Sequence, residues 1–192
     1  MGVRGGEHGH ALTGDMAADE GVDVLIEVNQ RAWDRVKDSL VDVSDDEATW
    51  RPHPLGNNID VIVRHLRIEG EWHRDSLVHG TAMPFEITPA LQARINAVPL
   101  DYTANFSILE KVVIEFIEAL GTTTLEALVA RTSAAYGSLG DQASRRHFLG
   151  YHQAMHLSMH CGQIRTIRNL YRKSRGEPAP FFPENPTFPA VK

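Results

Sequence analysis

The chain has 192 residues, 42% of them hydrophobic, a single cysteine and a formal charge of −6. This length and apolar content predict one domain with a sizeable aliphatic core, and the acidic balance gives no electrostatic case for nucleic acid or an anionic membrane as partner. Cys161 alone cannot form an intrachain disulfide, no apolar run approaches the ~20 residues of a membrane span, and no apolar signal region precedes the first helix, so the cytoplasm is the expected compartment.

Residues 1–19 are rich in glycine and poor in large apolar side chains and read as a loose tail, with His8 and His10 a disordered pair rather than a metal scavenger. From Val22, Leu25, Val28, Ala32, Val36 and Leu40 recur at helical spacing and predict a first amphipathic helix. Ser44 to Glu47 offer a cap for a short turn through Trp50, which Pro52 and Pro54 end. Asn57 and Asn58 are N-caps for a second helix reaching about His79, with Gly80 as its stop signal. Ile59, Ile62, Val63 and Leu66 form its apolar side. His65 falls in that stripe, Glu69 lies one turn on, and Trp72 and His73 close the face.

Residues 81–101 hold Pro84, Pro89 and Pro99 and read as a connection with a short helix from Pro89. A connection of that length crosses a bundle or covers a site. Ser107 to Glu110 reads as a capping box opening the third helix, with Leu109, Val112, Val113, Phe116 and Leu120 buried. Its continuation past Gly121, where Thr123 to Glu126 is a second possible box, is left open. Asp141 or Ser144 caps the fourth helix, which reaches about Tyr171. Arg165, Arg168, Arg172 and Lys173 near its end suit the negative pole of the helix dipole. After residue 174, prolines interleaved with Phe181, Phe182 and Phe188 predict an extended tail lying against the body or a partner. The division is a tail over 1–19, a helical domain over 20–174 and a Pro/Phe-rich tail over 175–192. Four helical periods with one long proline-bearing connection predict an all-α fold, an up-and-down-type four-helix bundle with a crossover between the second and third helices.

The fourth helix carries the most informative stretch. His152, His156 and His160 recur every fourth residue, so they project in one line along one face. Met155 and Met159 lie beside that line. Neutral imidazole binds Zn, Ni, Fe or Cu, and two rings one turn apart can hold one ion. A histidine-rich core stripe with each ring hydrogen-bonded has the same spacing, and the helix alone leaves both readings open.

Taken together, the two helices resemble a known family. Trp50-Arg-Pro, Asn57-Asn-Ile, Arg64-His-Leu, Glu69, Trp72 and Gly80 look like the second-helix signature of the DinB-like superfamily. His156-Leu-Ser-Met-His160-Cys-Gly-Gln-Ile164 resembles its last-helix signature. The similarity covers roughly 22–171. It implies a four-helix bundle, commonly homodimeric, with a divalent metal on three histidines, which here are His65, His156 and His160. His152 matches no ligand position and is expected near the site without being required. Members with assigned activities include bacillithiol S-transferases and mycothiol-dependent maleylpyruvate isomerase, so the resemblance implies a low-molecular-weight thiol as cosubstrate and a small-molecule substrate.

Three protein ligands with one open position is the pattern of catalytic metal sites. A divalent ion there, nickel or zinc by ligand softness, can activate a thiol for transfer or water for hydrolysis; a bundle that binds metal without catalysis is the third reading. Glu69 is the candidate base or orienter of a ligand ring, against a plain helix-surface salt bridge. Gln163 is expected to pack between helices rather than bond a ligand ring, and Cys161 to be a small buried hydrophobe facing a neighbouring helix.

Overall fold

The computed structural model describes residues 14–84, 88–136 and 148–181. Among them the secondary structure is all α: α1 Gly14–Leu40, α2 Asp45–Thr49, α3 Ile59–His79, α4 Pro89–Ala97, α5 Tyr102–Gly121, α6 Leu125–Tyr136 and α7 Phe148–Ser174. None of these helices is long and apolar enough to cross a membrane.

The four long helices pack in a ring, α1 against α7 and α5, and α3 against α5 and α7. Side-chain pairs give their directions. Arg64 reaches the Val98 carbonyl, Arg67 reaches Asn105 and Arg74 reaches Glu115, so α3 and α5 run the same way. Asn29 bonds the Gly150 carbonyl and Cys161 the Arg35 carbonyl, so α1 and α7 also run together. His65 faces His156 while His73 faces His152, which makes α3 and α7 antiparallel. The order is therefore up-down-down-up. Between the parallel helices α3 and α5 in the chain lies α4, behind an N-cap on Thr88.

Caps set most of the boundaries. Asn58 accepts from the Val61 amide to open α3, and Gly80 closes it in the left-handed region at φ 69°, where a side chain would be strained. Two expected starts are corrected. Helix α1 already runs from Gly14, so 14–19 are not tail; these turns carry no apolar stripe for periodicity to detect. Helix α5 starts at Tyr102, not at Ser107, because the Asp101 carboxylate accepts from the Ala104 amide and Tyr102 then stacks on Phe106. Helix α5 does break at Gly121, and Thr124 caps α6 through the Ala127 amide. His8, His10, Asp141, Ser144, Phe182 and Phe188 lie outside the described residues.

Two apolar layers fill the ring. Trp33, Val36, Ile62, Leu66, Leu109, Val113, Leu157 and Ile164 form one, and Leu25, Leu77, Phe116, Leu120, Leu128 and Leu149 the other. Each such side chain contributes ~1.5–3 kcal/mol on burial. Helices α1 and α7 approach closely at Gly150, where a Cβ would stand 3.1 Å from Leu25.

A buried ion pair fixes the end of the bundle where α1 meets α2. Glu47 on α2 is fully buried and takes the Arg168 Nε at 2.8 Å, while Arg168 Nη1 donates to the Ser39 carbonyl at 3.0 Å. Arg168 thus joins three helices, which corrects its reading as a dipole partner alone. As far as Phe181 the chain after α7 lies against it: Asn169 bonds both the N–H and the carbonyl of Phe181, whose ring lies under the Arg165 and Arg168 guanidinium groups. Removing one partner of the buried pair strands the other charge. Urea unfolding of Glu47→Ala is expected to show a loss of ~3–5 kcal/mol, with a much smaller loss when Glu47→Leu and Arg168→Met are combined; equal losses in the two proteins would contradict a stranded charge.

Candidate metal centre

The antiparallel meeting of α3 and α7 builds the site. On α7 the core is filled by Leu157, Cys161 and Ile164, which turns His156 and His160, 6% and 7% exposed, toward α3. On α3 Ile62, Val63 and Leu66 are buried, and His65 stands at the edge of that stripe with its side chain 43% exposed. Met155 and Met159, beside the histidine line, point outward and are 44% and 54% exposed. The histidine face therefore looks into the seam between α3 and α7, which is open to solvent at His65.

Within the seam the Nε2 atoms of His65, His156 and His160 converge. His156 Nε2 is 3.0 Å from His65 Nε2 and 3.0 Å from His160 Nε2. Among the described residues these three form the group placed to hold one ion. The three nitrogens have more neighbours than protons. His160 Nδ1 donates to the Gln163 side-chain oxygen at 2.8 Å, so its neutral ring presents a lone pair at Nε2. His156 Nε2 carries at most one proton and cannot donate to both neighbours. One ion shared by three lone pairs removes the conflict. Nitrogens at ~2.0–2.1 Å from an ion lie ~2.8–3.4 Å apart for angles between square and tetrahedral, and the two distances from His156 fall in that range.

Glu69 closes one side. Its Oε1 is 3.3 Å from His65 Nε2 and its Oε2 is 3.2 Å from His156 Nε2, with the side chain 23% exposed. It is part of the cluster and not a helix-surface salt bridge. Gln163 is also corrected: it does not pack between helices but sits exposed and fixes the His160 tautomer. His152 bonds His73, away from the three converging nitrogens. His73, fully buried, is the member whose role was not foreseen; its position one turn beyond Glu69 was the available signal. Cys161 is buried against Ser39 and the Arg35 carbonyl on α1, as a small core residue facing away from the histidines.

Burial sets the protonation states. It holds His65 down at about 4, with His160 and Arg64 adding to the effect. It holds His156 at about 2, helped by His160, His65, His73 and His152, and His73 at about 3, helped by His152. It also lowers His152 and His160 and raises Glu69 to about 7. The rings are thus neutral and ready to bind a cation, well below the ~6.5 of free imidazole.

Comparison of the chain with protein-family models, with curated proteins and with solved structures finds no match. The candidate site therefore stands on its own geometry and on the residues of the two helices.

Two outcomes follow. Replacing His65, His156 or His160 by alanine should weaken zinc or nickel binding by more than the ~10–100-fold typical of an outer-shell partner; Gln163→Ala should fall within that range, and His152→Ala should retain metal. Metal titration with plasma emission analysis reads this, and full occupancy in His65→Ala would contradict the site. The second concerns acid. Between pH 6.5 and about 4 the unfolded chain protonates histidines that the folded protein keeps neutral, so stability falls as pH falls. Glu69 acts oppositely, since its folded carboxyl takes a proton from about pH 7 downward and the unfolded one only near 4.5. The several lowered histidines outweigh this one group, and the melting temperature of the metal-free protein should drop from pH 7 to pH 5. A rise over that interval would contradict the buried neutral rings.

Proposed function

We propose that the protein is a divalent-metal-dependent enzyme of the DinB-like type that transfers a low-molecular-weight thiol to a small electrophilic substrate. The observation that carries the metal half of this reading is the convergence of three neutral Nε2 atoms, His156 standing 3.0 Å from each of the other two, beside a carboxylate and on a seam open at His65. The thiol half is supported by the two helix signatures.

His65, His156 and His160 hold the ion, nickel or zinc by the softness of the donors. An ion bound there supplies a Lewis acid that favours thiolate over thiol, as it favours hydroxide over water. The chain supplies the rest. Gln163 fixes the His160 ring. Glu69, whose carboxyl burial brings to about 7, accepts the proton that the thiol gives up. The half-exposed His65 leaves the side from which substrate enters. The same donors suit hydrolysis, and Glu69 beside the ligand rings is as well placed to take a proton from water; this is the second reading.

The resemblance also supports a homodimer, and Tyr151, Met155 and Met159 give α7 an exposed apolar ridge suited to it. The deciding experiment is metal analysis of the purified protein followed by a conjugation screen with several small thiols against aryl halide, epoxide and unsaturated-acid electrophiles, run beside an ester hydrolysis assay. Metal-dependent conjugation lost in Glu69→Gln is expected. Conjugation that persists after chelation contradicts the proposal, and hydrolysis alone favours the second reading. Sedimentation equilibrium of the same sample should give twice the 21.4 kDa chain mass; a monomer at high micromolar concentration contradicts the dimer.

A further inference from the structure

Helix α3 carries three arginines, and two of them are held by carboxylates. Arg67 Nε lies 3.3 Å from Glu71 Oε1, and Arg74 holds Asp75 at 2.8 Å and Glu115 at 2.9 Å. Arg64 differs. Among the described residues its hydrogen bond runs from Nη1 to the Val98 carbonyl at 3.1 Å, and no carboxylate pairs with it. Asp60, one turn earlier, is 3% exposed with its Oδ1 unpartnered and forms no ion pair with Arg64. One carbonyl takes one of the five N–H groups of the guanidinium fork.

Arg64 also stands beside the open side of the candidate metal centre. Successive side chains on a helix diverge by ~100°. Leu66, on one flank of His65, is 1% exposed and belongs to the core. Arg64 takes the opposite, outer flank and is partly exposed. The seam opens to solvent at His65 itself, whose side chain is 43% exposed. Burial holds the His65 ring well below the usual imidazole range and the His160 and Arg64 charges add to this, so the guanidinium is within electrostatic reach of the ring. Val98 caps the C-terminal end of α4, so a backbone oxygen and not an acid fixes this guanidinium in place. A partly buried cation without a counter-charge is unfavourable. A carboxylate ligand accepting two parallel N–H bonds from the fork removes that penalty.

We propose that Arg64 determines specificity by pairing with a carboxylate on the thiol cosubstrate, which makes that thiol a short mercapto acid and not a neutral thiol. The inference rests on the metal-and-thiol reading above. Arg64 takes no part in bond making; it selects which thiol is held at the open side of the site.

The test compares 3-mercaptopropionate with its neutral counterpart 3-mercaptopropionamide by isothermal titration of the zinc-loaded protein, with zinc content measured before and after. The acid should bind the wild type ~10–100-fold more tightly than the amide. That ratio should fall to about one in Arg64→Gln. Loosening of the Val98 contact alone would weaken both probes together and leave the ratio unchanged, so the ratio separates charge recognition from a structural role. Arg64→Lys keeps the charge and a donor for Val98 but loses the fork; it should give an intermediate ratio, and it decides the matter if Arg64→Gln does not fold. Equal affinities in the wild type, or an undiminished ratio in either variant, overturns the assignment of Arg64; the latter is also the result expected if the carboxylate binds zinc directly. Failure of the wild type to hold zinc, or of both probes to bind it, overturns the metal-and-thiol reading instead, and this inference with it.

Discussion

Three imidazole nitrogens, with His156 Nε2 3.0 Å from both His65 and His160 and able to donate to only one of them, are the constraint on which the rest of the molecule turns. Neutral lone pairs at that distance repel unless something positive lies between them. The protein sustains the arrangement by burial, which rejects protons from these rings, and by tertiary packing that leaves them nowhere else to point. Leu157, Cys161 and Ile164 occupy the core side of α7, so His156 and His160 must look into the seam. Ile62, Val63 and Leu66 do the same for α3 and leave His65 at the seam's edge. A cluster that is unfavourable alone is what a cation site looks like before its ion is considered.

The seam depends on elements far from it. Helices α3 and α5 pair in parallel, as do α1 and α7, and the site lies where the two pairs meet. Glu47 and Arg168 tie α2, α1 and α7 together at one end, and Asn29 ties α1 to the start of α7 at the other. These bonds fix the register of α7 along α1, and with it the height at which His156 meets His65. The surrounding residues then divide the work. Gln163 fixes the tautomer of His160, leaving a lone pair at its Nε2, and the Glu69 carbonyl fixes that of His73.

Much of this was legible in the sequence where one local rule governed. The four-residue spacing of His152, His156 and His160 placed them on one face whatever the fold. Asn58 and Gly80 bounded α3 because capping acts within one turn. His65 and Glu69 stood out as polar residues in an apolar stripe. Other features were hidden for physical reasons. Residues 14–19 carry no apolar period, so the first turns of α1 left no trace. Asp101 and Ser107 are both competent caps, and Tyr102 OH reaching the Leu40 carbonyl is among the tertiary contacts at the end that Asp101 caps. The Glu47–Arg168 pair joins residues far apart in the chain, and the division of α7 into rings facing His65 and a ring facing His73 follows from the antiparallel direction of two helices. No spacing within one helix reports either fact.

X-ray absorption at the metal edge of the zinc- or nickel-loaded protein tests the central claim most directly, since it reads the ligands without requiring any activity. The account predicts three imidazole nitrogens at ~2.0–2.1 Å with the outer-shell scattering of histidine rings, falling to two in His65→Ala. One imidazole or none in the wild type, or a sulfur ligand from the chain, would contradict it.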